Sequence, residues 1–83
     1  MGYPPQGYWV RNNPISGSSI GLAGKETEVL FDLSFSVSPH VVISPTEDIN
    51  VWVSEVYEDG TGFKWLNNKG SGRATIFWIA DLI

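Results

Sequence analysis

Eighty-three residues with a 42% hydrophobic and 13% aromatic composition describe one small globular domain, too short for a second core and too apolar for a disordered chain. Nine acidic against five basic residues, a net charge of −4 and an isoelectric point near 4.6 argue against duplex nucleic acid or an anionic membrane as partner. The absence of cysteine and the single histidine, His40, remove disulfides, thiol nucleophiles, thiolate zinc sites and multi-histidine metal sites, and no apolar run approaches the roughly 18 residues of a membrane span.

The chain begins with a segment unlike the rest. Glycines and prolines supply eight of positions 1–24, and Arg11 is the only charged residue before Lys25. Such a stretch cannot hold a long helix or a central strand. Its start, MGYPPQGYWVRNN, lacks the basic-then-apolar layout of a signal peptide. Tyr3, Tyr8 and Trp9 are nevertheless too hydrophobic for a plain linker. The expectation is an extended arm over 1–24 with one short strand around Tyr8–Arg11. Its aromatics either dock on another protein or pack on the chain's own domain.

From Lys25 to the end, 25–83, the pattern is β. Val29, Phe31, Leu33, Phe35 and Val37 alternate with Leu30, Asp32, Ser34 and Ser36, which predicts one strand with a buried face. Pro39 ends it, and a short strand follows from His40 to Ser44. A third runs over Ile49–Tyr57, with Ile49, Val51, Val53 and Tyr57 on one face. Glu58-Asp59-Gly60 is turn chemistry, with Gly60 suited to positive φ. Thr61–Asn67 is the next strand, Asn67–Gly72 a polar loop, and Arg73–Leu82 the last strand. No window carries a helical period. The fold class is all-β: a small antiparallel sandwich of about six strands with an extended N-terminal arm.

Two of these strands are apolar on both faces. Ala74, Ile76, Trp78, Ala80 and Leu82 share one side of the last strand, while Phe77 and Ile79 occupy the other. Trp52 and Val56 lie opposite Ile49, Val51 and Val53. A strand with one solvated face should not do this. Either the arm or another copy of the chain covers the second face. Burial of such side chains at about 25 cal/mol per Å² of apolar area is a strong drive to associate, so Trp52, Val56, Phe77 and Ile79 are the expected oligomer interface.

Catalytic constellations are absent from the spacing. There is no G-x-S-x-G elbow, and His40 reads as an edge or interface residue. Glu47-Asp48 and Glu55/Glu58/Asp59 are carboxylates of polar turns rather than a buried acid–base pair. The string before Lys25-Glu26 is not a phosphate loop, since Ser19 takes the place of its first glycine and Glu26 that of the magnesium-binding hydroxyl. The reading is a non-enzymatic binding or structural module without cofactor or metal.

The order of motifs from Glu28 to Ala80 resembles the H-type lectin family. It comprises Val29-Leu30-Phe31 leading to Phe35, then Pro39-His40-Val41-Val42-Ile43-Ser44, Ile49–Tyr57, Thr61-Gly62-Phe63-Lys64 and Ile76-Phe77-Trp78-Ile79-Ala80, about 53 of the 83 residues. The resemblance implies a six-stranded sandwich that forms a homotrimer and binds galactose- or N-acetylgalactosamine-type sugars between protomers. Asn50 stands where the family places an arginine, and 67–72 lacks the family's Trp-His pair. The sugar-contacting candidates are therefore Asn50, Asn67, Asn68, Lys69 and Arg73, with Trp65 as an apolar platform. Domains resembling this family also sit at the tips of bacteriophage tail fibres. That use implies a trimeric virion component whose arm, through Tyr3, Tyr8 and Trp9, joins another virion protein, and whose loops face cell-surface glycan. The alternative is a free, extracellular, soluble lectin.

Overall fold

A computed structural model describes residues 13–82 and contains six strands among them. They are β1 (Ile15–Leu22), β2 (Thr27–Leu30), β3 (His40–Pro45), β4 (Val51–Val56), β5 (Gly62–Asn67) and β6 (Arg73–Asp81). Two antiparallel three-stranded sheets form, in the orders β1-β6-β3 and β2-β5-β4. The chain is all-β, with no helix among the described residues. Only the β4–β5 connection is a hairpin within one sheet; every other connection crosses between sheets.

The core follows from which strands are central. β5 and β6 each pair on both sides, so their inward side chains face one another across the sandwich. Phe63 and Trp65 from β5 and Ala74, Ile76, Trp78 and Ala80 from β6 are buried together with Phe35. Phe63 and Trp78 meet edge to face at 5.6 Å between ring centroids, and Phe31 lies 5.4 Å from Trp78. Such pairs contribute about 0.5–1.5 kcal/mol each beyond the area they bury.

The long strand expected over Val29–Val37 stops at Leu30. Its partner β5 begins at Gly62, so the ladder has nothing further to pair with. The chain instead returns at Phe35, whose N–H donates to the Gly60 carbonyl, after Phe31 has donated to the Thr61 carbonyl. Phe31 and Phe35 both turn inward and meet edge to face, closing this end of the sandwich. Leu33 and Val37, which the alternation placed with them, are exposed. Gly60 has φ of 75° as the turn requires, and a Cβ there would sit 2.3 Å from the Phe35 carbonyl oxygen.

The division at residue 24 is also corrected in part. Tyr8–Arg11 lies outside the described residues, but Ile15–Leu22 is a strand paired residue by residue with β6, from Ile15 opposite Ala80 to Leu22 opposite Arg73. It is an edge strand, as the glycine content demands. Beyond Ile15, which packs on the core, its inward face is small, with Gly17, Ser19 and Gly21, because it lies directly on two indoles. A Cβ on Gly17 would come within 2.8 Å of the Trp78 ring, and one on Gly21 within 3.1 Å of Trp65. Ser19 Oγ accepts the Trp65 Nε1 hydrogen at 3.0 Å. Deleting residues 1–24 therefore uncovers both tryptophans and the edge of β6. The truncated chain should lose its near-ultraviolet circular dichroism and its cooperative thermal transition.

Candidate functional site

Three surfaces are candidates: the loop end of the sandwich and the outer faces of the two sheets. The loop end gathers the β1–β2 turn, the β3–β4 connection and the β5–β6 loop. Asn67 organises it. This residue is 3% exposed, and its Oδ1 accepts from the Gly24 N–H at 2.9 Å and the Lys69 N–H at 3.1 Å, while its Nδ2 donates to the Leu22 carbonyl at 3.1 Å. Gly24 adopts φ of 68° in the same turn. Around this lock, Asn50 and Asn68 are tied reciprocally: the Asn50 N–H donates to Asn68 Oδ1 and the Asn68 N–H to the Asn50 carbonyl. Lys69 Nζ contacts both carboxylate oxygens of Glu47, at 2.8 and 2.7 Å.

Of the six sugar-contacting candidates, the structure leaves Asn50, Asn68 and Arg73 exposed and Lys69 half-buried in its ion pair. Asn67 and Trp65 are interior. Trp65 is fully buried with its ring nitrogen satisfied, so it is core and not a platform. An exposed ring stands nearby instead. Trp52 is 46% exposed on the outside of β4, on the same face as Asn50, and opposite Leu66 of β5. Its accessibility cannot be read from alternation, which shows only that it faces away from Val51 and Val53.

The four interface candidates do not share one surface. Phe77 and Ile79 lie on the outside of β1-β6-β3, and Trp52 on the outside of β2-β5-β4. Val56 turns inward and packs on the core. A register shift between Val53 and Glu55 causes this reversal, since one extra residue moves every later side chain to the other face. Beside Phe77 and Ile79, the same outer face exposes Val42, Ile20 and Leu22. Sequence alternation could have placed Val42 there; Ile20 and Leu22 were hidden in the segment read as an arm. Tyr3, Tyr8 and Trp9 lie outside the described residues.

The outer face of β2-β5-β4 is mainly charged. Lys64 stands between Glu26 and Glu55, at 3.8 and 3.7 Å, and over the Tyr57 ring. Exposed pairs of this kind contribute at most about 1 kcal/mol. The Tyr57 hydroxyl donates to the Glu28 carboxylate, and Ser54 Oγ donates to Glu26 at 2.6 Å. An open groove of about 830 Å³ runs here between Glu28, Tyr57 and Glu58. The Glu28 acceptor and the surrounding carboxylates push the Tyr57 phenol up to about 12. Asp59 is held below the usual carboxylate range by the Thr61 hydroxyl and backbone N–H. His40 is exposed at the start of β3 opposite Asp81. Among the described residues no group of three or more His, Asp or Glu side chains is placed to hold a metal, and no helix is long and apolar enough to cross a membrane.

Two measurements test this account. Asn67→Ala removes three part-buried hydrogen bonds, from the Gly24 and Lys69 N–H groups and to the Leu22 carbonyl, each contributing about 0.5–1.5 kcal/mol; chemical denaturation should show a loss of about 1.5–4.5 kcal/mol whether or not sugar is present. For Tyr57, the raised phenol favours the folded state fully below pH 10, and that contribution disappears as pH rises through 12. Absorbance titration should show a tyrosine ionising late, and the late step should vanish in Tyr57→Phe.

No protein-family model, no curated protein and no solved structure matches the chain.

Proposed function

We propose that this chain is a non-enzymatic structural or adhesion module that works as an assembly of several copies. The order of its motifs suggests three-fold association as a virion attachment component, joined to another virion protein through the N-terminal arm that carries Tyr3, Tyr8 and Trp9. The observation that carries the reading is the exposure of Ile20, Val42, Phe77 and Ile79 at 54–67% on one sheet face of a domain this small. Contiguous apolar patches beyond a few hundred Å² mark interaction surfaces. The chemistry of the rest supports a binding role. The carboxylates of the described strands and turns face solvent except the half-buried Asp81, and the buried polar group at the loop end, Asn67, is consumed by backbone hydrogen bonds.

A second reading, a glycan-binding lectin, is favoured by one feature: the exposed indole of Trp52 on the same face as the Asn50 and Asn68 pair. An aromatic face beside amide donors and acceptors suits a sugar ring, and several copies on one surface raise avidity.

Light scattering on the purified chain should give a multiple of the 9.2 kDa chain mass. A species that remains monomeric at high micromolar concentration would overturn the proposal. On a glycan array, binding that disappears in Trp52→Ala would support the lectin reading; an empty array favours attachment through protein contacts alone.

A further inference from the structure

The proposed self-association leaves open which surface joins the copies and with what symmetry. We infer that the outer face of β1-β6-β3 pairs with the same face of a second copy about a two-fold axis, with the two β6 strands antiparallel and centred on Phe77. The inference rests on the proposed self-association and adds its geometry.

The argument begins with the outward side chains of β6, which read Arg73, Thr75, Phe77, Ile79 and Asp81. A cation stands at one end, an anion at the other, and Thr75, Phe77 and Ile79 between. Arg73 and Asp81 are each four residues from Phe77, or about 14 Å along a strand. Turning the face over about Phe77 therefore brings Arg73 of each copy to Asp81 of its partner. The register extends the pattern sideways. Ile79 lies between Ser16 of β1 and Val42 of β3, and Phe77 between Ser18 and Ser44, while Ile20 sits beside Thr75. The outward residues of β1 and β3 are Ser, Ile, Leu, Val and the exposed His40 opposite Asp81, so Arg73 and Asp81 supply the opposed charges on these strands. Asp81, half-buried at the end of β6, also accepts the Leu82 N–H, which orients its carboxylate.

Size agrees with a self-pair. Five exposed large side chains, Ile20, Leu22, Val42, Phe77 and Ile79, present on the order of 500 Å² of apolar surface. With the serine and charged rim this approaches the roughly 800 Å² per partner of a standard interface. Sheets stacked face to face lie about 10 Å apart, a gap that side chains of these sizes fill. The opposite outer face, carrying Glu26, Glu28 and Glu55 around Lys64, would repel itself in the same arrangement. Two-fold pairing here and three-fold association elsewhere are compatible in one assembly, which then holds an even number of copies.

Charge exchange at full chain length tests the geometry by sedimentation equilibrium. Arg73→Asp alone and Asp81→Arg alone each set like charges against one another at both ends, and each should weaken pairing about tenfold or more. The double variant carrying both changes restores opposite charges and should recover wild-type affinity; His40 is unchanged throughout. Phe77→Asp should abolish pairing while the thermal transition, set by the inward face, persists. The two-fold arrangement is overturned if the double variant is no tighter than the singles, if the single variants pair as tightly as wild type, as parallel strands that set each charge against its own copy would, or if the assembly holds three copies. The last result leaves self-association standing; a wild-type monomer removes both, and with it any need for a second copy to cover Phe77.

Discussion

The packing of β1 against two tryptophans is the constraint on which the rest of this fold depends. Trp65 and Trp78 arise from the central strands of opposite sheets, and both reach far enough to touch an edge strand. Only a strand with almost no side chains on its inner face can close over them. Gly17 and Gly21 supply that surface, and Ser19 adds the acceptor for one indole nitrogen. A domain of this length buries only about 60% of its unfolded surface. Large rings shared between sheets are how so thin a sandwich acquires a core without disulfides.

The same economy explains the surface. Because the central strands β5 and β6 fill the interior, little room remains for further apolar side chains, and those of β6's outer side stay in solvent. The two outer faces then diverge in character. One carries carboxylates around a lysine, with Trp52 at its margin near the loop end. The other carries an apolar strip bounded by opposite charges. Polar groups at the loop end are largely committed to holding loops together, through Asn67 and the paired Asn50 and Asn68. Self-recognition by the apolar strip thus fits the distribution of unused surface better than chemistry at a pocket.

Period-two patterning located β3, β4, β5 and β6 to within a residue or two, because each of these strands has an apolar face against the core and turn residues at its ends. It overextended β2, since alternation continues through Leu33 and Val37 where no strand exists to pair with. It missed β1 for the opposite reason: glycine and serine positions carry no hydrophobic signal, and their burial is visible only when the indoles they cover are in place. Val56 was assigned the wrong face because a bulge changes parity without a mark in composition. Among the candidate site residues, Asn67 and Trp65 are interior, which local polarity and ring chemistry do not reveal.

The amino-acid sequence by itself determined the all-β class, the absence of thiol chemistry, and the doubly apolar character of the Phe77–Ile79 stretch, since these depend on residue type and spacing along one strand. Which strands became neighbours, which face of β4 turned inward past its bulge, and how Arg73 and Asp81 came to flank one apolar strip beside Val42 and Ile20 were decided only by tertiary structure. The reason is physical: hydrogen-bond ladders and ring packing join residues dozens of positions apart, and their register is a property of the closed sandwich rather than of any local segment.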